Sequence, residues 1–128
     1  MKWLWQARMP VTGEAARDGD TLRLELDLGF SQVGAYALRL RDVAAPELDQ
    51  PGGVETHTFV RAWLAARDGD GWPFLVETFR TRTGRDLTTL ERYVAVVYDN
   101  DGGLAASLNA DIVAWLRGHP SWGGGTGS

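Results

Sequence analysis

Alternating side chains define the most regular segment of the chain. Over residues 21–28, polar and apolar residues follow one another without a break, with leucine at every second position. The side chains of a strand point to opposite faces in turn, so this segment predicts a strand with one buried face. Gly29 and Gly34 indicate a turn, and residues 36–43 predict a second, antiparallel strand.

The flanking sequence predicts further elements at both ends of this pair. Apolar residues change from an alternating to a helical spacing after Pro51, and Gly118 is typical of a helix end. In chain order, the remaining expected elements are a strand over about residues 3–11, a helix over 54–67, strands over 72–79 and 93–98, and a helix containing Leu108, Ile112, Trp115 and Leu116.

The order of these elements predicts the fold class. Three strands, a helix, two strands and a helix indicate an α+β protein that is mainly β. The expected architecture is the five-stranded Greek-key barrel of the oligonucleotide/oligosaccharide-binding (OB) fold, with two or three packed helices. We expect one domain over residues 1–122 and a flexible glycine-rich tail over 123–128.

Composition narrows the classes of chemistry. The 128 residues include no cysteine, which excludes disulfides, thiolate zinc sites and a cysteine nucleophile. A net charge of −4 argues against a binder held to nucleic acid by bulk charge alone. No apolar run reaches the length of a membrane span or a signal peptide, so we expect a cytoplasmic protein without a membrane partner.

Carboxylates and arginines occur at the ends of the predicted strands. Asp18 and Asp20 precede the first alternating strand, Arg39 lies in the second, and Glu47 follows it. A hard cation binds carboxylate oxygens, a glutamate can activate water, and guanidinium groups stabilise charge that develops on a phosphodiester. An Asp-Gly-Asp sequence is also an ordinary turn, so its position beside the other residues decides the interpretation.

Five motifs in sequence order resemble the staphylococcal nuclease-like (thermonuclease) family, in its stand-alone bacterial or phage form. They span about residues 8–118. The motifs are Asp18-Gly19-Asp20-Thr21, Arg39-Leu40 with Ala45-Pro46-Glu47, the helix that carries Glu55 and Phe59, Arg92-Tyr93-Val94-Ala95, and Asn109 near the start of the last helix.

The resemblance implies a calcium-assisted nuclease that hydrolyses DNA or RNA. Asp20 would bind the catalytic Ca²⁺ with Asp18 nearby. Arg39 and Arg92 would bind the phosphate and stabilise the transition state, and Glu47 would act as the general base on the attacking water. Fixed positive charge beside a five-coordinate phosphorane is worth several kcal/mol per preorganised donor in catalysis.

The chain departs from the family pattern at its metal site. The second aspartate ligand of the family is replaced by Ala44, which weakens calcium binding because charged oxygens supply much of the affinity. Asp42, two residues earlier, is the candidate surrogate. Leu90 and Glu91 replace an aromatic residue and a glycine before Arg92, so a stacking contact is missing and an acidic neighbour is added.

A second group of arginines lies between the last two predicted long strands. Arg80, Arg82 and Arg85 would follow a nucleic-acid backbone, or they belong to a solvated hairpin. The leading hypothesis is therefore an impaired calcium nuclease acting on single- or double-stranded nucleic acid. The alternative is a catalytically inactive OB-fold module that binds nucleic acid or a protein partner in an assembly role.

Overall fold

The computed structural model describes residues 2–80, 83, 85–89 and 92–122. The tail over 123–128 lies outside them. The chain forms strands β1 (Lys2–Arg8), β2 (Thr21–Gly29) and β3 (Gln32–Leu40), helix α1 (Gly53–Arg67), strands β4 (Phe74–Phe79), β5 (Thr88–Thr89) and β6 (Arg92–Asp99), and helix α2 (Leu108–Arg117). Short 3-10 helices cover Gly103–Ala105 and Pro120–Trp122. The expected mixed α+β class, mainly strand, is confirmed.

The five longer strands pair in a closed cycle. Strand β1 pairs with β2 and with β4, β2 pairs with β3, and β4 pairs with β6, all antiparallel. The cycle closes through β3 and β6, which run parallel, with Leu38 opposite Tyr93 and Arg39 opposite Val94. The two-residue β5, which the sequence pattern did not predict, adds to the edge of β6.

One apolar core fills the space between the sheet and the helices. The leucines of β2 that alternate with polar residues are buried up to Leu26, as the pattern predicts. Helix α1 contributes Val60, Trp63 and Leu64 to the same core, and the Trp63 ring stacks on Phe74. The Trp63 indole N–H donates to Asp111 Oδ2 at 2.7 Å, which joins α1 to α2. No helix of the described residues is long and apolar enough to cross a membrane.

The second strand ends earlier than its sequence pattern predicts. Strand β3 stops at Leu40 rather than at Val43, because Arg41 and Asp42 form a turn. Asp42 has a φ of 60°, in the left-handed region that aspartate tolerates better than most residues. Val43 is nevertheless buried. The apolar pattern therefore predicted the burial of Val43 correctly and the end of the strand wrongly.

A buried amide connects α2 to the point where the strand cycle closes. Asn109 Nδ2 donates to the carbonyl oxygens of Arg41 and Ala95, each at 3.0 Å. Its Oδ1 accepts a hydrogen bond from Val97 N–H, also at 3.0 Å. Arg41 N–H donates to the Ala95 oxygen at 2.8 Å, so the end of β3, the middle of β6 and the start of α2 form one hydrogen-bonded unit.

We predict that Asn109→Leu lowers the free energy of unfolding by about 3 kcal/mol, because it leaves the buried Val97 N–H and the partly buried Arg41 carbonyl without their partner. Urea denaturation followed by circular dichroism measures the change. The matched control is Asn100→Ala, which removes a single bond from Asn100 Nδ2 to the Trp72 carbonyl at a half-buried site. A loss no larger than that of the control would contradict the role given to Asn109.

Candidate functional site

Three strand ends bring the predicted site residues together. Thr21, the first residue of β2, lies opposite Arg39 of β3. Arg92 begins β6, the strand that pairs with β3. Since side chains alternate along a strand, Thr21, Arg39 and Arg92 lie on the outer face of the sheet, whereas their neighbours Leu38 and Tyr93 point inward.

The turn before β2 is held by Asp18. Its Oδ1 accepts hydrogen bonds from the backbone N–H groups of Asp20 at 3.0 Å and Thr21 at 2.9 Å. Gly19 between them is required by close packing, since a Cβ there would lie 2.5 Å from Ala45 Cβ. The Asp-Gly-Asp sequence is therefore both a turn and a part of the site, because the turn aims Asp20 at the neighbouring strands.

Asp20 lies at the centre of the site. Its Oδ2 is 3.7 Å from Arg39 Nη2 and accepts a hydrogen bond from Ala45 N–H at 3.4 Å. Burial, together with the neighbouring Asp18, raises the pKa of Asp20 from 3.8 to about 6, against the opposing effects of Arg39 and the Ala45 amide. The carboxyl group is consequently close to half-protonated under mildly acidic conditions.

Two guanidinium groups reach this carboxylate by different routes. Arg39 Nη1 donates to the Leu40 carbonyl at 2.6 Å, which holds the side chain along its own strand beside Asp20. Arg92 Nη1 donates to Thr21 Oγ1 at 2.7 Å, and that hydroxyl donates to Asp20 Oδ1 at 3.3 Å. The buried Thr21 hydroxyl thus links Arg92 to Asp20, a role that sequence reasoning missed.

Glu47 lies in an exposed turn that follows the site. Its N–H donates to Gln50 Oε1 at 2.8 Å, and its carbonyl accepts from Gln50 N–H at 2.9 Å. A Cβ on Gly53 would lie 1.8 Å from this carbonyl, so glycine is required where the turn enters α1. Within the described part of the chain, no hydrogen bond or ion pair involves the Glu47 carboxylate, which faces solvent.

Ala44 and Asp42 lie in different surroundings. Ala44 lines a cleft of about 370 Å³ whose walls are the Pro46 turn and Trp122. The Asp42 carboxylate lies 3.9 Å from Arg41 Nε, and Asp42 lines a separate cleft of about 350 Å³ against α2, which Arg117 also lines. The structure therefore places the proposed surrogate against α2 and outside the hydrogen bonds and ion pairs of Asp20.

The surroundings of Asp20 contain few carboxyl groups that could bind calcium. Ca²⁺ takes six to eight oxygen ligands, commonly from several carboxylates. Among the described residues, Asp18 is the carboxyl group that acts on Asp20, and one of its oxygens already binds two backbone amides. Across residues 2–80, 83, 85–89 and 92–122, no cluster of three or more histidine, aspartate or glutamate side chains could hold a metal ion.

The second arginine group is partly engaged within the protein. Arg80 Nε lies 2.9 Å from Asp86 Oδ1, and its guanidinium group lies 4.0 Å above the Trp3 ring. Arg85 is exposed and has interactions of its own. Arg82 lies outside the described residues, as do Leu90 and Glu91.

Comparison with known proteins does not assign this chain to a family. No family model matches the chain, and no curated protein matches it. Membership of the staphylococcal nuclease-like family therefore remains a hypothesis based on the motifs.

We predict that Asp20→Asn stabilises the protein at about pH 7.5 by about 1–2 kcal/mol and by a smaller amount at about pH 4.5. A pKa raised in the folded state means that the folded protein binds a proton more readily than the unfolded chain between pH 4 and 6. This carboxyl group therefore destabilises the fold above about pH 6, and asparagine, which keeps an acceptor oxygen, removes that effect.

Denaturant melts of both proteins across this pH range measure the difference. Asp18→Asn is the control, because it keeps the acceptor for the two turn amides and removes one charge that raises the pKa of Asp20. Asp18→Asn should move the pH-dependent change in the free energy of unfolding to lower pH without abolishing that change. A constant gap between wild type and Asp20→Asn at every pH would contradict the prediction.

Proposed function

We propose that this chain is an OB-fold protein of the staphylococcal nuclease-like type that binds the phosphodiester backbone of nucleic acid at the Asp20 site. The cyclic strand order β1-β2-β3-β6-β4 supports the fold, because an OB-fold is a five-stranded barrel of this kind. The helix α1 between the third and fourth long strands supports it as well.

The convergence of Arg39 and Arg92 carries the proposal. Both guanidinium groups contact the Asp20–Thr21 pair, although the two arginines come from different strands. Guanidinium groups present several donors in a plane and bind phosphate oxygens in pairs. A phosphate at the solvent side of the pair would accept from both arginines, while the backbone and Thr21 bonds keep them oriented.

The protonation of Asp20 makes the affinity for phosphate depend on pH. An ionised Asp20 competes with phosphate for Arg39, and its negative charge repels the phosphate. Protonation near pH 6 removes both effects, so binding strengthens as the pH falls through that value. The negative net charge of the chain keeps the affinity modest and strongly dependent on salt.

Calcium-assisted hydrolysis is the second candidate function. It is favoured by the position of Glu47, which follows the Ala45 amide that bonds Asp20, and by the presence of two arginines beside an aspartate. The alanine at position 44 and the donor set around Asp20 weigh against it. We therefore rank binding without efficient hydrolysis first, and a protein partner remains an alternative ligand for the same module.

We predict that Arg39→Ala and Arg92→Ala each weaken the binding of a fluorescein-labelled oligothymidylate by about tenfold and reduce the salt slope by about one. Fluorescence anisotropy at several salt concentrations measures both quantities. Arg61→Ala is the matched control, since Arg61 is an exposed arginine of α1 that pairs with Glu14. Equal losses in all three variants would show that binding follows net charge and not this site.

Cleavage assays separate the two functions. We predict that the wild-type protein cuts labelled DNA and RNA no faster with Ca²⁺ than with chelator, and that Ala44→Asp raises both calcium affinity and rate by restoring a charged oxygen. Glu47→Gln in each background is the control for water activation. Calcium-dependent cutting by wild type that is lost in Glu47→Gln would establish the nuclease and reject the first candidate.

A further inference from the structure

The strand cycle has an open end that contains a pocket of about 120 Å³. Helix α1 returns the chain to the N-terminal end of β4, whereas the pocket lies at the C-terminal end of β4 and beside Tyr36 and Leu38 in the second half of β3. Each of the five longer strands lines it, through Trp5, Leu26, Tyr36, Leu38, Thr78 and Tyr93. The pocket is thus built into the fold and not formed by a surface loop alone.

Aromatic rings form the walls of this pocket. Tyr36 and Tyr93 meet edge to face with ring centroids 5.7 Å apart. Trp5 is fixed by a hydrogen bond from its indole N–H to Thr78 Oγ1 at 2.9 Å, and Trp3 stacks on it. All three wall rings are half-buried, so each retains surface that a flat ring could cover.

Gly34 fixes the position of one wall. A Cβ at Gly34 would lie 2.6 Å from Tyr36 Cε2, because the tyrosine ring lies across the glycine on the same face of β3. The absence of a side chain therefore lets the Tyr36 ring lie along the strand and leaves the end of the cycle open. Any larger residue would push the ring toward Tyr93.

A donor and an acceptor lie together at the polar edge of the pocket. Arg80 and Asp86 both line it, with Arg80 Nε 2.9 Å from Asp86 Oδ1. The second Asp86 oxygen and the terminal Arg80 nitrogens remain capable of further hydrogen bonds. Adjacent donors and acceptors of this kind match the edge of a pyrimidine base, which presents an N–H group next to a carbonyl or ring nitrogen.

The volume of the pocket selects the size of the ring. A cavity of about 150 Å³ accommodates benzene, so this smaller but open pocket takes in part of one six-membered ring, with the rest of the ring and its substituents directed outward. A purine would leave its second ring outside the aromatic walls. Stacking on aromatic side chains is worth about 1–3 kcal/mol per base, which is enough for a weak site for one base.

We infer that the open end of the strand cycle is a binding site for a pyrimidine base, held between Trp5, Tyr36 and Tyr93 and read by Arg80 and Asp86. The inference deepens the proposed function and rests on it for the attached backbone: Leu38 and Tyr93 of the pocket are the chain neighbours of Arg39 and Arg92. A single strand that crosses the rim of the sheet would place a base inside and a phosphate outside.

The test is a nitrogen-edited NMR titration of the full chain with uridine, cytidine, adenosine and inorganic phosphate, each at millimolar concentration. Trp5→Phe assigns the Trp5 indole signal by its loss. We expect uridine and cytidine to shift this signal several times more than adenosine does, and phosphate to leave it unchanged. The indole signal of Trp63, which bonds Asp111 between the helices, is the internal control.

Variants then locate the site. Tyr36→Leu and Tyr93→Leu should each weaken uridine binding at least fivefold, and the exposed Asp86→Ala should alter the ratio of cytidine to uridine affinity. Tyr98→Leu is the matched control, since Tyr98 lies on the outer side of the same strand β6 and bonds Glu77. If a tyrosine variant fails to fold, Asp86→Ala still tests the site through the ratio of cytidine to uridine affinity.

The failure of this site is distinguishable from failure of the phosphate site. Nucleosides carry no phosphate, so their binding should survive Arg39→Ala and Arg92→Ala, whereas that of oligothymidylate should not. Comparison of thymidine with oligothymidylate separates a free nucleoside from a strand as the natural source of the base. No shift of the Trp5 signal by any pyrimidine nucleoside, or equal shifts in folded wild type and variants, would overturn the inference.

Discussion

The parallel contact between β3 and β6 is the constraint on which the rest of the structure depends. A parallel pair has no local turn to set its register, so other contacts must do so. Here the buried Asn109 side chain binds the backbone of both segments, at the Arg41 and Ala95 carbonyls and the Val97 amide. A one-residue shift would leave these groups unpaired and would turn Arg39 away from Arg92.

The register of β3 and β6 also determines which side chains lie on each face of the sheet. Alternation along β3 and β6 puts Leu38 and Tyr93 inside the cycle and puts Arg39 and Arg92 outside. One set of backbone hydrogen bonds therefore positions an aromatic pocket and a pair of guanidinium groups on opposite sides of the same two strands. In the proposed function and its extension, these are the base and phosphate contacts of one strand of nucleic acid.

Sequence patterns predicted the elements well wherever burial follows a regular period. The β2 leucines and the helix found at Gly53–Arg67 are examples, because each buries one face against the core. The end of β3 was predicted wrongly, since the left-handed Asp42 turn breaks the strand without interrupting its apolar pattern. The link through Thr21 depends on contacts between distant strands, which no local pattern encodes.

The site residues likewise divide into those predicted from neighbours in the sequence and those whose properties depend on residues distant in the sequence. Asp18 could be predicted as a turn residue from its position, but the raised pKa of Asp20 arises from burial under the Ala45 segment and from its carboxylate neighbour. A bound cation would favour the ionised form of Asp20, whereas burial favours the protonated form. Burial outweighs Arg39 and the Ala45 amide at Asp20, and with alanine at position 44 the proposed function relies on a phosphate held by arginines and not on a metal held by carboxylates.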